Sequence, residues 1–465
     1  MANFISYNQF YRILFSAFVL ATSYLAITLE LGNAEVLLWI ITICFLICLW
    51  FEYLHSKYLF FSLPPTYFCL FMFFNIFISG LVYYFFNRVT VTQFYVQDEF
   101  ILMGAWYTLV AIQTLWISFY ILPNRPYRIF SKLYIATIPL WVVNFLMVIF
   151  LVSFVIGVNN DMFGYAADNE KNEWLGTLRY GISLGLVAII ALTIYHFDSL
   201  KMRLYLYFVI GANMFVGVLF GSKSTVMVPI IIYILTNYLQ GRKIGMWAIV
   251  SFFVGLVFAY AAVEPFRLYF EAIGAAGTSY SVTSLVEFFF AAKDATEGME
   301  TDYIEALVRR LNYATMLGKT IEFALFTGTY LSDQWQHLAM SPLYGLIPRF
   351  IWDTKPLADF GLWVSVHIFD LPPTTHTGIT PQGFAYLVLR LPGIVLFFLL
   401  YGLIQRIAFN SFFLTRDLLP VYIYFYFFII FPPYPIWTAI STYVQALVIV
   451  IPVLIISTVF RKNKI

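Results

Sequence analysis

The sequence predicts an all-α, polytopic membrane protein, and three observations predict it. Hydrophobic residues make up 62% of the chain and charged residues 11%, with a mean hydropathy of +0.84. Soluble domains carry about 25% charge. Apolar runs of about 20 residues recur, each long enough to cross a ~30 Å hydrocarbon core as a helix. These runs stop near Glu264 and resume near Gly383, and the segment between holds His337, His367 and His376 among its polar residues.

About twelve runs are expected to span. They cover 10–30, 35–53, 67–86, 100–122, 133–157, 175–197, 203–220, 224–240, 245–263, 383–405, 418–436 and 441–460. The chain then divides into a transmembrane scaffold of about nine helices over 1–263, one large extracytoplasmic loop over 264–382, and about three C-terminal transmembrane helices over 383–465. Leu63-Pro64-Pro65 and Leu122-Pro123-Asn124-Arg125-Pro126 read as turns between spans. Smaller outer loops are expected at 87–99 and 158–174. The large loop reads as partly helical. Asp302 and Glu305 have capping-box spacing, and Ile304, Leu307, Leu311 and Ala314 follow at helical spacing. Residues 316–330 are apolar enough to lie against the bundle, although Lys319 and Glu322 argue against a true span. Pro342, Pro348, Pro356, Pro372, Pro373 and Pro381 make 341–381 irregular.

The distribution of cations predicts orientation. With the N-terminus cytoplasmic, Arg12, Lys57, Arg125, Arg128, Lys132, Lys201, Arg203, Arg242, Lys243, Arg406, Arg416, Arg461, Lys462 and Lys464 lie inside, as the positive-inside rule requires. The large loop then faces outward; long loops cross regardless of charge. The first run lacks a small-residue cleavage site and reads as a retained anchor. Cys44, Cys48 and Cys69 lie within apolar runs, so no disulfide framework or metal site is implied. No basic stripe supports nucleic-acid binding.

Two stretches in the large loop concentrate chemistry. Ile347-Pro348-Arg349-Phe350-Ile351-Trp352-Asp353-Thr354-Lys355-Pro356 holds two cations between prolines that restrict the backbone, which lowers the entropic cost of binding an anion. The planar fork of Arg suits phosphate because it bonds two oxygens at once. The second stretch is Thr375-His376-Thr377-Gly378-Ile379-Thr380-Pro381. Gly221-Ser222-Lys223-Ser224-Thr225 echoes the end of a P-loop, but Ser222 breaks the required Gly-Lys pair, so nucleotide binding is not expected there.

These motifs resemble the bacterial O-antigen and oligosaccharide repeat-unit polymerases of the Wzy type. The likeness rests on Pro348-Arg349, Trp352 and Lys355-Pro356, then on the His376-Thr377-Gly378-Ile379-Thr380-Pro381 stretch before a late span. Gly221-Ser222-Lys223-Ser224 and Arg309-Arg310-Leu311-Asn312 sit where such proteins place cations. It covers about residues 205–405 by motif and departs at Lys223, where related chains often carry Arg. The resemblance implies a fold similar to the membrane glycosyltransferases of the C type. It also implies a metal-independent, inverting glycosyl transfer, with no cofactor, on the outer face of the bacterial plasma (inner) membrane. There, undecaprenyl-pyrophosphate-linked oligosaccharide units are joined into surface polysaccharide such as lipopolysaccharide. A chain-length regulator and a flippase are the expected protein partners, beside membrane lipids.

The chemistry sets roles for residues. Negative charge grows on the leaving pyrophosphate and needs cations in a partly dry site. The first outer loop, 29–35, lacks the paired acids with which metal-dependent transferases hold an ion. Arg310, Arg349 and Lys355 are therefore expected to hold the pyrophosphate, with Arg267 and Lys223 assisting. His376 is the expected base, since histidine titrates near neutral pH; Asp353 and Glu264 are reserves. Trp352 could stack on a sugar face. Blander roles exist for each: Arg267 can snorkel, Arg309 can pair with Glu305 at i,i+4, Arg349 and Lys355 can pair with Asp353 or Asp359, and Trp335, Tyr344, Trp352 and Trp363 can form an interfacial aromatic belt. Arg390, in an apolar run before Pro392, is a charge at a costly depth. The rival readings are an O-antigen-ligase-like glycan transferase, a flippase or transporter of lipid-linked oligosaccharide, and a non-catalytic assembly partner.

Overall fold

The computed structural model describes residues 2–56, 60, 63–85, 96–123, 138–160, 163, 175–242, 250, 254–255, 263, 281–296, 313–327, 340, 343, 347, 351–352, 361–371, 378–415, 418–425, 444, 447–448 and 450–457. Among them no strand occurs. The helices are α1 (Ala2–Thr28), α2 (Ala34–Ser56), α3 (Pro64–Phe85), α4 (Asp98–Ile121), α5 (Leu140–Asn159), α6 (Leu175–Tyr195), α7 (Leu200–Leu219) and α8 (Lys223–Leu239). They continue as α9 (Val282–Thr296), α10 (Tyr313–Phe326), α11 (Gly361–His367), α12 (Pro381–Thr415) and α13 (Leu418–Phe425).

Seven of these helices are long and apolar enough to cross a membrane: α1 from Phe10, α2, α3, α4, α5, α7, and α12 as far as Ser411. Shorter apolar helices occupy Gly181–Tyr195 and Thr225–Leu239. The runs expected over 245–263 and 418–436 fall largely outside the described residues, and that over 441–460 is described in part, at 444, 447–448 and 450–457.

Local chemistry starts and stops these helices. Asn33 accepts a hydrogen bond from the Val36 amide at 3.0 Å and opens α2. Ser199 and Ser222 do the same for α7 and α8, each at 3.3 Å. Pro64 and Pro65, expected as part of a turn, instead form the first residues of α3, where a missing N–H is harmless. α4 stops at Ile121, ahead of Pro123.

Most of the described helices fall into two groups. α4 is the hub of the first. It packs against α1, α2, α3, α10 and α12, and its buried face runs from Phe100 to Phe119. In the second group, α5 packs on α6 and α8 packs on both α6 and α7. α13 joins the two, touching α12 and α6, with the Leu418 amide donating to the Tyr195 hydroxyl at 3.1 Å.

Charged side chains gather at the Ile121 end of α4. Arg12 meets Glu52 in a two-pronged ion pair, Nε to Oε1 at 3.0 Å and the second nitrogen to Oε2 at 2.9 Å, with both side chains 7% exposed. The Arg12 guanidinium lies 3.5 Å from the centre of the Tyr120 ring, and Arg406 lies 5.8 Å from the same centre. Arg406 donates to the Leu122 carbonyl and Asn410 to the Pro123 carbonyl, which sets the end of α12 level with the end of α4.

Candidate functional site

Most of the residues expected to act lie outside the described residues: His376, Arg310, Arg349, Arg267, Lys355 and Asp353, and the reserve Glu264. Lys223 is the first residue of α8, in the second group of helices, behind the Ser222 cap. That cap is an ordinary helix start and not a glycine cradle. Trp352 is half-buried. The remaining described histidines have local roles. His55 and His367 bond the carbonyls of Phe51 and Trp363 at 2.8 and 3.0 Å, and His196 bonds that of Ile138 at 2.8 Å. His367 also stacks on Trp363, with ring centres 4.5 Å apart.

A site is built instead where the segment 264–382 meets the spanning helices, in the Asp98 half of α4. The 14 residues described for α10 are fewer than the about 20 that a crossing needs. The helix lays Leu317 against Gly104 and Gly318 against Val96 and Ile101, and its Phe326 ring meets Phe100 edge-on at 6.1 Å. Ala314, Leu317, Gly318 and Ile321 are buried in this contact. Lys319 points off it and pairs with Glu322 at 2.9 Å. An amphipathic helix with one charged pair on its outer side can thus dock on a bundle without crossing.

The receiving surface on α3 is irregular. Phe73–Ile78 is a π-helical stretch, a form that recurs at functional sites. Just after it, the Ser79 hydroxyl donates to the Asn75 carbonyl at 2.6 Å and accepts from the Ala314 amide at 3.3 Å. A side chain of α3 therefore satisfies one of the free amides at the start of α10. The Tyr313 ring, at the very start of α10, meets Phe71 at 6.3 Å.

The start of α12 sits at the same depth. Thr380 caps it through the Gly383 amide at 3.2 Å. Gln382, fully buried, donates to the Thr108 hydroxyl at 3.0 Å and to the Met72 sulfur at 3.2 Å. Thr108 and Met72 lie in the middle of their helices, so α12 begins inside the bundle and not at its rim. The Thr108 hydroxyl donates to the Gly104 carbonyl at 2.8 Å, which fixes the amide of Gln382 with its oxygen turned away; that oxygen has no partner. One turn on, Tyr386 stacks on Tyr107 at 4.9 Å.

The run expected as one span over 383–405 is broken at Leu389 (φ −138°, ψ 19°) and Arg390 (φ 54°, ψ −142°). Pro392 explains the break, since its ring lacks an N–H and collides with the preceding turn. The bend is sharp. A Cβ on Gly393 would collide with the Ala385 carbonyl oxygen, eight positions earlier, where an unbroken helix separates such residues by about 12 Å. Before the bend, Phe384 and Leu387 pack with Val364, Ile368 and Phe369 of the segment 361–371. Beyond it, α12 follows α4 towards the Ile121 end, with the Ser118 hydroxyl donating to the Phe398 carbonyl at 3.1 Å.

Two helix N-termini, of α10 and α12, therefore open into the interior of the bundle beside hydroxyl and amide groups. Such ends carry partial positive charge and favour anions. Sequence reasoning missed Ser79, Thr108, Tyr313 and Gln382. The available signal was a lone amide or hydroxyl inside an apolar run, which water-free surroundings make expensive unless it is bonded or used. Among the described residues no group of three His, Cys, Asp or Glu side chains could hold a metal ion. Compared with protein-family models, curated proteins and solved structures, the chain matches none.

Proposed function

We propose that this chain polymerises undecaprenyl-pyrophosphate-linked oligosaccharide repeats on the outer face of the bacterial plasma membrane, by inverting, metal-independent glycosyl transfer. One observation carries the reading. Tyr313 and Gly378, the described residues nearest in sequence to Arg310 and His376, are neighbours: a Cβ on Gly378 would lie 3.8 Å from the Tyr313 hydroxyl. The cation-bearing stretch around Arg310 and the stretch holding His376 thus lead into one contact, at the start of two helices that favour an anion. Arg310, Arg349 and Lys355 would take the pyrophosphate, Arg267 and Lys223 would assist, Trp352 would stack on a sugar, and His376 or Asp353 would remove the acceptor proton.

The clustering of Arg12 and Arg406 at the Ile121 end supports a cytoplasmic assignment for that end, with both termini on the same side and the segment 264–382 outside. The about twelve spans and the likeness to C-type membrane glycosyltransferases belong to this proposal.

Purified protein supplied with lipid-linked repeats should build a ladder of longer lipid-linked glycans. His376→Ala and the Arg310→Ala, Arg349→Ala double variant should abolish the ladder while the chains remain folded. A single transfer onto a different lipid acceptor would replace the reading with that of a ligase. Movement of the oligosaccharide across vesicles with no new glycosidic bond would replace it with that of a flippase.

A further inference from the structure

Arg390 occupies a backbone conformation suited to glycine. Its φ of 54° with ψ of −142° falls in a region where a Cβ is strained. Among the described residues, three that are not glycine have positive φ: Glu30, Asp370 and Arg390. The first two lie in turns between helices, and Asp tolerates such a φ because its short side chain can bond locally. Arg390 stands inside a long apolar helix, has a β-methylene and carries a full charge.

Its surroundings define a level in the membrane. Beyond the bend, Val395, Leu396, Leu400 and Ile404 are 37, 53, 57 and 44% exposed and form the outward apolar stripe of α12. Arg406, buried on the inner side of α12, marks the Ile121 end. From Arg390 to Arg406 the helix rises about 24 Å, against a hydrocarbon core of ~30 Å. Arg390 therefore stands about 6 Å short of the opposite boundary, level with Tyr107 in the Asp98 half of α4 and within reach of an extended arginine side chain. Its side chain is exposed, and no described residue hydrogen-bonds or ion-pairs with it. Tyr107, which stacks on Tyr386, lies within electrostatic reach. A side chain that only snorkels could do so from any helical position facing outward; it would not need a strained one.

We propose that Arg390 seats the phosphate of a membrane-borne headgroup, two of whose oxygens fit the guanidinium fork. This goes beyond the polymerase reading and stands whether or not a glycan is extended. The shared chemistry is a phosphate oxyanion at the interface, carried by a lipid or free in water.

The test is thermal unfolding of the full chain in neutral detergent, with phosphatidylglycerol or with inorganic pyrophosphate added. Arg390→Gly should unfold at a higher temperature than the unsubstituted protein when no probe is present, because the strain is relieved. Phosphatidylglycerol should raise the Tm of the unsubstituted protein by about 2–4 °C, raise that of Arg390→Lys by less, and leave Arg390→Gly unmoved. A response to pyrophosphate of the same size, also lost in Arg390→Gly, assigns the seat to phosphate irrespective of its lipid. The proposal is overturned if Arg390→Gly is no more stable than the parent. It is equally overturned if that variant responds as the parent does, or if neither probe moves the parent.

Discussion

The two ends of α4 treat their cations differently. At the Ile121 end, each of the arginines named above has a protein acceptor: Glu52 for Arg12 and the Leu122 carbonyl for Arg406. On the adjoining group of helices, Arg203 and Arg242 behave alike, donating to the Phe197 and Thr193 carbonyls and facing the Phe197 ring at 5.0 and 4.5 Å. In the Asp98 half, Arg390 is strained and unpaired among the described residues, and Gln382 keeps an unbonded oxygen. A charge fully bonded within the protein fastens helices together. A charge or acceptor held without a partner, at an energetic disadvantage, is where a ligand group fits.

The largest effect should come from the fastened end. Glu52→Leu leaves Arg12 buried and unpaired and should destabilise the protein by about 3–5 kcal/mol, read as a fall in unfolding temperature in detergent. The double variant Arg12→Leu, Glu52→Leu should recover most of that loss. A double variant as unstable as the single one would mean that the pair is more than a matched set of charges.

Packing along the hub comes next. A Cβ on Gly402 would collide with the Ser118 hydroxyl and lie 2.6 Å from the Leu115 carbonyl oxygen. Gly402→Val should therefore cost about 1–3 kcal/mol by overpacking, measured the same way, and should weaken both ends equally, since it breaks the α4–α12 contact between them.

Gln382→Leu separates the two ends more sharply. It removes both a hydrogen bond and an orphaned acceptor, so stability should change by less than about 1 kcal/mol. Glycan extension should nevertheless fall about tenfold, the equivalent of one lost hydrogen bond. Unchanged extension would leave the buried amide as a packing group.

The smallest effect belongs to the Lys319–Glu322 pair, partly exposed on the outside of α10. Lys319→Ala should shift stability by no more than about 0.5 kcal/mol. A larger loss would show that α10 is held in place by this pair and not by Leu317 and Ile321.

Much of this architecture was legible in the sequence, for reasons that are local. Long apolar runs must become helices in lipid, because nothing else bonds their backbone groups. Pro123, in the turn expected over 122–126, marks a helix stop through chemistry confined to a few neighbouring residues. That 316–326 lies against the bundle was legible in its apolar residues. The expected site was less accessible, because its motifs fall largely where the described residues do not reach, and because the groups that build the interior contact are single polar residues with no spacing to betray them.

The sequence by itself determined that the long apolar segments are helical and that their exposed faces are apolar; each follows from composition and neighbours within a few turns. Only the tertiary structure decided that Arg12 meets Glu52, that Ala314 bonds Ser79 across 235 positions, and that Gln382 meets Thr108 across 274. It also decided that α12 bends at Arg390. Such pairings depend on which helices become neighbours, a choice made by the packing of side chains over the whole bundle and recorded in no short stretch of chain.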